Sequence, residues 1–258
     1  MSDASYLFGA VAAAYARHRI TYPAAFFDAF LALLPADPLV WDCGCGSGQA
    51  SHDLATAGAR VIATDASAAQ LAAARAHPRI RYQQAQAQAS GLAGASLDGV
   101  LVAAAVHWFA GDSFNTEVRR VCKPGAVMAW IGYLPLRLPE HRLQSVLDAF
   151  HNGTLAPWWP TERQWVEQSY AGLDFPGDEW PFPAGLWIER NWSLAELIAH
   201  IGTWSAVQRS REAGSDPLPA LQGELASLWP NAGQTPLTVR WPFMGRWGQV
   251  QPAGPATR

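Results

Sequence analysis

The stretch "LVWDCGCGSGQASHDLATAGARVIATDAS", residues 39–67, decides how the rest of the chain is read. It places glycines at Gly44, Gly46 and Gly48, an acid before them at Asp42 and another at Asp65. "LVWDC" reads as a buried strand, "GQASHDLATAG" as a helix closed by Gly58, and "ARVIATD" as a second strand. Strand, glycine turn, helix and strand form a right-handed crossover with two parallel strands. A turn without Cβ atoms, at the start of a helix, lets a ligand approach the backbone.

The acids narrow the ligand. The dinucleotide fingerprint spaces its glycines G-x-G-x-x-G, and here the third glycine comes one residue early. Asp42 ends the first strand, where a carboxylate repels phosphate but suits an ammonium or sulfonium group. The phosphate-binding spacing G-x-x-x-x-G-K-[ST] is absent, with no lysine in the turn. A ligand with ribose hydroxyls and a positive charge, but no phosphate, fits these residues. S-adenosyl-L-methionine is such a ligand.

Outward from this unit, helices and strands alternate up to about residue 132. "YPAAFFDAFLALL" from Tyr22 has helical spacing, with Phe26, Phe27, Phe30, Leu33 and Leu34 available for one face. "AAQLAAARAH" reads as a helix stopped before Pro78, then "IRYQQA" and "LDGVLVAAAV" as strands, "DSFNTEVRRVC" as a helix and "AVMAWIGY" as a strand. Alternation of this kind implies a doubly wound, mostly parallel α/β sheet. After Tyr133 prolines and tryptophans crowd the chain. Ser193 and Glu196 offer a capping box for a helix expected to run on through "IAHIGTWSAVQ". "LPALQGELASLW" is a further helix and "LTVRWPFMGRWGQV" a last strand or strand pair. The domain expectation is a single unit over residues 1–250: a cofactor-binding half, 1–133, and a cap and sheet-completing half, 134–250. Residues 251–258 are expected to be a disordered tail.

Composition excludes some partners. The 258 residues are half hydrophobic and 15% charged, with a formal charge of −3. That balance argues against nucleic acid, whose backbone needs a concentrated basic surface. The N-terminus has no leading basic region and no run approaches membrane-spanning length, so a membrane is not expected as partner. Cys43, Cys45 and Cys122 make neither a disulfide framework nor a four-ligand zinc site, and Cys43 and Cys45 are read as packing residues. No metal is expected, and the setting is read as cytoplasmic. Of 13 tryptophans, all but Trp41 and Trp108 fall from Trp130 onward. They fill a core or surround an apolar or cationic ligand.

"VWDCGCGSG" resembles the first motif of the class I S-adenosylmethionine-dependent methyltransferases. Asp65, closing the second strand, is similar to the acid those enzymes set on the ribose hydroxyls. "YARHRITYP", "VHWF" at residues 106–109, "IGTWSAV" from Ile201 and "VRWPF" from Val239 resemble the small-molecule branch that includes trans-aconitate methyltransferase. The resemblance implies a seven-stranded Rossmann-like sheet with helical substrate-cap elements. It also implies methyl transfer to a small-molecule acceptor, a small carboxylic acid first. Gly44, Gly46 and Gly48, with Cys45 between them, would pass beneath the methionine part of the cofactor. Asp42 would support that loop and receive the amino group. Ala66 would flank adenine, Gln86 would face its amino group, and Ala87 would offer a backbone N–H. Tyr15 and Arg19 match the family's residues before "YP", with Arg19 toward the cofactor's carboxylate and Tyr15 also at the reacting end. Trp41, Ile20 and Ala104 depart from the family pattern, and Ala104 bears on the loop contacts with the cofactor.

His107 and Trp108 follow the fourth strand, at the carboxyl edge where open α/β sheets bind ligands. His107 is a candidate base or a donor to a substrate carboxylate, or it orders its loop. Trp108 is a candidate wall of the donor pocket. Trp158, Trp159, Trp165, Trp187, Trp192 and Trp204 lie where a substrate cap would be built. A carboxylate acceptor needs no base, whereas a hydroxyl or amine acceptor would draw on His107. Two rivals stand beside the methyltransferase: a nucleotide-dependent oxidoreductase, and a catalytically silent cofactor-binding protein. Oligomeric state is not readable.

Overall fold

A computed structural model describes residues 21–251, so Tyr15, Arg19 and the tail from residue 252 lie outside the described residues. In chain order the elements begin with α1 (Ala24–Leu31), β1 (Leu39–Cys43), α2 (Gln49–Thr56), β2 (Arg60–Asp65) and α3 (Ala68–Ala72). There follow β3 (Ile80–Gln84), β4 (Leu97–Ala103), α4 (Asp112–Val121), β5 (Cys122–Tyr133), α5 (His141–Ala149) and α6 (Arg163–Glu167). The chain closes with β6 (Gly177–Trp180), β7 (Trp187–Trp192), α7 (Leu194–Ile201), α8 (Ser205–Glu212), α9 (Leu218–Leu228) and β8 (Leu237–Val250). Two compact units interleave along the described chain. One comprises residues 21–134, 164–186 and 243–251, the other 135–163 and 187–242.

The first unit holds the sheet, ordered β3-β2-β1-β4-β5-β8-β6. From β3 to β5 every pairing is parallel; β8 and then β6 add antiparallel edges. This is the mostly parallel, doubly wound α/β sheet that the alternating pattern calls for, with seven strands on its main path. Strands buried on both faces carry continuous apolar runs. Val100, Leu101 and Val102 of β4 and Met128, Ala129, Trp130 and Ile131 of β5 are fully buried. Helix α1 supplies Phe26, Phe27 and Phe30 to the core, but Leu33 is 41% exposed and does not join that face.

In the second unit, α7 begins with the expected capping box: Ser193 accepts from the Glu196 N–H while Glu196 accepts from the Ser193 N–H. Helix α9 packs on α5 and α7, and β7 pairs antiparallel with residues 237–242 of β8. Strand β8 is thus one 14-residue strand, pairing with β7 along its first part and with β5 and β6 along its second.

Some expectations need correction. Helix α3 ends at Ala72 instead of running to residue 77, because its alanines bury little, and the Arg75 carbonyl is taken by His52 at 3.0 Å. The helix from Ser193 breaks at Gly202–Trp204 before restarting as α8, with the Thr203 hydroxyl closing on the His200 carbonyl at 2.7 Å. Strands β6 and β7 have no counterpart in the pattern reading. Gln251 is tied down, its N–H donating to Pro176 O at 3.1 Å.

Candidate cofactor and acceptor site

Strand β1 delivers the glycine turn. Trp41, bulky for its place, is fully buried and its indole N–H donates to Thr64 Oγ1 at 2.8 Å. The next strand thus supplies the partner a buried indole requires. Asp42 is also fully buried, with Oδ2 accepting from the Ser51 hydroxyl of α2 at 2.5 Å, so it ties the strand end to the following helix. The N–H groups of Gly44 and Cys45 both donate to Thr64 O, at 2.8 and 2.9 Å, locking the turn onto β2. Gly44, Gly46 and Gly48 have φ of 72°, 54° and 81°, a left-handed path that costs a side-chain-bearing residue about 1–2 kcal/mol per position. The missing Cβ atoms also admit neighbours. A Cβ at Gly44 would lie 2.8 Å from Ala105 Cβ and 3.1 Å from Phe109, and one at Gly48 would collide with the Tyr82 hydroxyl. The turn is therefore packed directly against the exit of β4 and against β3.

Asp65 ends β2 and holds the turn from the other side. Its Oδ2 accepts from the Gly46 N–H and its Oδ1 from the Ser67 N–H, each at 2.8 Å. Each carboxylate oxygen retains acceptor capacity beyond one backbone donor. Ala66, next along, gives its carbonyl to the Gln84 side-chain amide at 3.0 Å. After β3, Gln86 is exposed and Ala87 buried, and the Gln86 carbonyl accepts from the Ala89 N–H at 3.1 Å. The loop is pinned beyond them by a buried acid. Glu117 Oε1 accepts from the Ser90 N–H at 2.9 Å and the Ser90 hydroxyl at 2.5 Å, while Arg120 Nε reaches Oε2 at 2.6 Å. Arg120 Nη2 continues to Glu117 Oε1 and to the Leu92 carbonyl, both at 2.8 Å. The Arg120 guanidinium, with Ser90 behind it, holds the Glu117 carboxyl down to about 2 against the opposing effect of burial.

The turn after β4 carries the reacting-end candidates. Ala104 adopts φ 52° and its N–H donates to Ile131 O at 2.8 Å, which redirects the chain into a single tight turn, Val106–Trp108. Here His107 is half-buried and Trp108 is 39% exposed, their ring centroids 4.8 Å apart. The imidazole also lies parallel to the Tyr170 ring, 11° between planes at 6.3 Å. Tyr170 is fully buried, its hydroxyl reaching the same Ile131 carbonyl at 3.4 Å across Gly132. Arg246 of β8 fixes the Tyr170 segment, donating to the Tyr170 and Leu173 carbonyls at 2.6 and 2.5 Å and pairing with Glu179.

The structure therefore gathers Asp42, Gly44, Cys45, Gly46, Gly48, Asp65, Ala66, Gln86, Ala87, Ala104, His107 and Trp108 at the carboxyl ends of β1 to β4. Burial pushes the Cys43 and Cys45 thiols well up, so both stay protonated and serve as packing groups. These residues fit the cofactor that the turn calls for. The Asp65 carboxylate keeps acceptor capacity beyond its two backbone donors, and against Gly48 lies a buried polar atom, the Tyr82 hydroxyl, with no hydrogen-bond partner among the described residues. Thr64, Tyr82, Glu117 and Tyr170 carry no role in the sequence reading. Each acts across the fold, and only the strand-end position of Thr64 beside Asp65 gives a local signal.

In the second unit the tryptophans divide between packing and surface. Trp192 and Trp241 are buried around His200, at 5.0 and 5.3 Å from its ring. Trp159 and Trp204 enclose His151 at 4.8 and 5.7 Å, and the Arg163 guanidinium lies 3.8 Å over Trp159. Trp158 is half-buried and Trp187 is 45% exposed. Trp165 belongs to the sheet unit, where it packs over Gly172.

Comparison with known proteins adds an independent line. Residues 41–130 match a methyltransferase domain model. A candidate type II methyltransferase from Anaeromyxobacter dehalogenans has a similar structure, with TM-score 0.83 and 41% identity, covering 91% of this chain and 99% of that one. A candidate methyltransferase from Dictyostelium discoideum is 26% identical over 230 residues, 86% of each chain. A candidate methyltransferase from an antibiotic biosynthesis pathway of Anabaena variabilis shares the fold, with TM-score 0.53 and 19% identity over 87% of this chain and 98% of that one.

Proposed function

Because the chain belongs to the class I S-adenosylmethionine-dependent methyltransferases, we propose that it methylates a small molecule, and that the acceptor is a small carboxylic acid. S-adenosyl-L-methionine is the cofactor. The observation that carries the acceptor assignment is the turn after β4. It presents a half-buried His107 beside an exposed Trp108, on the strand next to the glycine turn and in direct contact with Gly44 through Ala105 and Phe109. The motifs "VHWF", "IGTWSAV" and "VRWPF" support placing the chain in the branch resembling trans-aconitate methyltransferase. A cytoplasmic setting belongs to the same reading. No helix of the described residues is long and apolar enough to cross a membrane.

When bound, the cofactor supplies a sulfonium methyl group already activated for in-line displacement. Positioning and exclusion of water then carry much of the acceleration, and these are what the chain's residues provide. In this reading Asp65 takes the ribose hydroxyls, and Gln86 and Ala87 border the adenine. Asp42 holds the turn through Ser51, and Trp108 walls the reacting end. His107 donates a hydrogen bond to the acceptor's carboxylate. No proton has to leave a carboxylate acceptor, so His107 orients without acting as base.

A screen for S-adenosylhomocysteine release across small carboxylic acids, phenols and amines tests this. Release with carboxylic acids is expected. Release confined to phenols or amines would transfer the acceptor to that class and make His107 the base. Cofactor binding without release for any acceptor class would favour the silent protein.

A further inference from the structure

The Tyr82 phenol lies at the glycine turn, and the preceding roles leave its chemistry unused. Tyr82 lies mid-strand in β3, in register with Ala63 of β2. Its hydroxyl rests against Gly48, occupying the space a Cβ there would need, and Gly48 is the residue from which α2 departs. The hydroxyl oxygen is buried and has no hydrogen-bond partner among the described residues. Burial first, and then the neighbouring Asp42 carboxylate, push the phenol up to about 12, so it keeps its proton and remains a donor. A buried donor left unsatisfied is costly, whereas a phenylalanine ring would fill the same space without that cost.

We propose that Tyr82 is a cofactor-coupled residue, its hydroxyl lacking a partner in the free protein and gaining one at the glycine turn when the cofactor's amino-acid end is bound. This rests on the turn being the cofactor site. The residue belongs to the binding machinery, since the chemical step needs nothing from a phenol beneath the turn. A hydrogen bond made only in the bound state adds to affinity and nothing to the stability of the free protein. That separates Tyr82 from a residue of structural importance only.

The test is Tyr82→Phe, followed by calorimetry with S-adenosylhomocysteine and by thermal unfolding of the cofactor-free protein. Wild type is titrated first; absence of binding there would fail the cofactor assignment itself and the proposal with it. The expected result is affinity weakened about three- to tenfold, the size of one net hydrogen bond. The cofactor-free variant should melt no lower than wild type. Unchanged affinity would overturn the proposal. So would a lower melting point in the free variant, which would mean that the hydroxyl is already satisfied, by internal water, before the cofactor arrives. Failure of Tyr82→Phe to fold would overturn it in the same way, since the free protein would then depend on the hydroxyl.

Discussion

Glu117→Gln perturbs the frame of the site without touching it. The wild-type carboxylate takes two hydrogen bonds from Ser90 and a two-point pair from Arg120, between 2.5 and 2.9 Å, while 8% of its side chain is exposed. Its pKa is held at about 2, from an ordinary 4.5. At 1.36 kcal/mol per unit that depression corresponds to roughly 3 kcal/mol, reduced to about 2 because the Arg120 guanidinium is half-exposed. A depressed acid contributes its full stability above pH 4.5 and loses it as pH falls toward 2. An amide at this position would remove the charge and set its own donors against the Ser90 N–H. Denaturation by urea at pH 7 should therefore show a loss of about 2–3 kcal/mol. The gap between wild type and variant should close between pH 4.5 and 2. Affinity for S-adenosylhomocysteine should fall too, because Ser90 anchors the loop that carries Gln86 and Ala87. A gap that does not change with pH, or no loss at neutral pH, would refute the role of this acid.

Three further outcomes follow from the same geometry. Asp65→Ala should weaken cofactor binding by a few kcal/mol, each charge-assisted bond to a ribose hydroxyl being worth about 1.5–3 kcal/mol, and unchanged affinity in a folded variant would remove Asp65 from the site. Gly48→Ala should destabilise by about 1–2 kcal/mol for the left-handed backbone, with more for displacing Tyr82, and a neutral result in urea denaturation would contradict that packing. With a carboxylic acid acceptor, His107→Ala should mainly raise KM. A kcat loss beyond about a hundredfold at unchanged cofactor affinity would instead make His107 a general base.

The sheet from β1 to β5 is legible in the sequence because parallel strands buried on both faces write continuous apolar runs, and the helices between them write their own stops. The glycine turn and Asp65 are legible because their roles are local: left-handed backbone at Gly44, Gly46 and Gly48, and a carboxylate at a strand end. Trp41 looks anomalous only because its partner, Thr64, is 23 residues away. Strand β6, "GDEW", leaves no signal since its residues are mostly exposed on a sheet edge and carry no apolar alternation. Helix α3 is shorter than its composition suggests because alanines favour helix without supplying a buried face to hold one. Glu117, Tyr82 and Tyr170 are silent, as nothing in a strand or helix pattern says which distant backbone group a buried polar side chain will meet. The division of the tryptophans is equally unreadable: Trp192 and Trp241 are buried while Trp187, on the same strand as Trp192, is 45% exposed.

Calorimetry of the purified protein with S-adenosylhomocysteine and with NAD tests the central claim most directly. The early third glycine, with acids at both Asp42 and Asp65, calls for a nucleoside without phosphate, so micromolar binding of S-adenosylhomocysteine and little or none of NAD is the expected result. Preference for NAD would contradict the assignment of the glycine turn, and with it the methyl transfer built upon it.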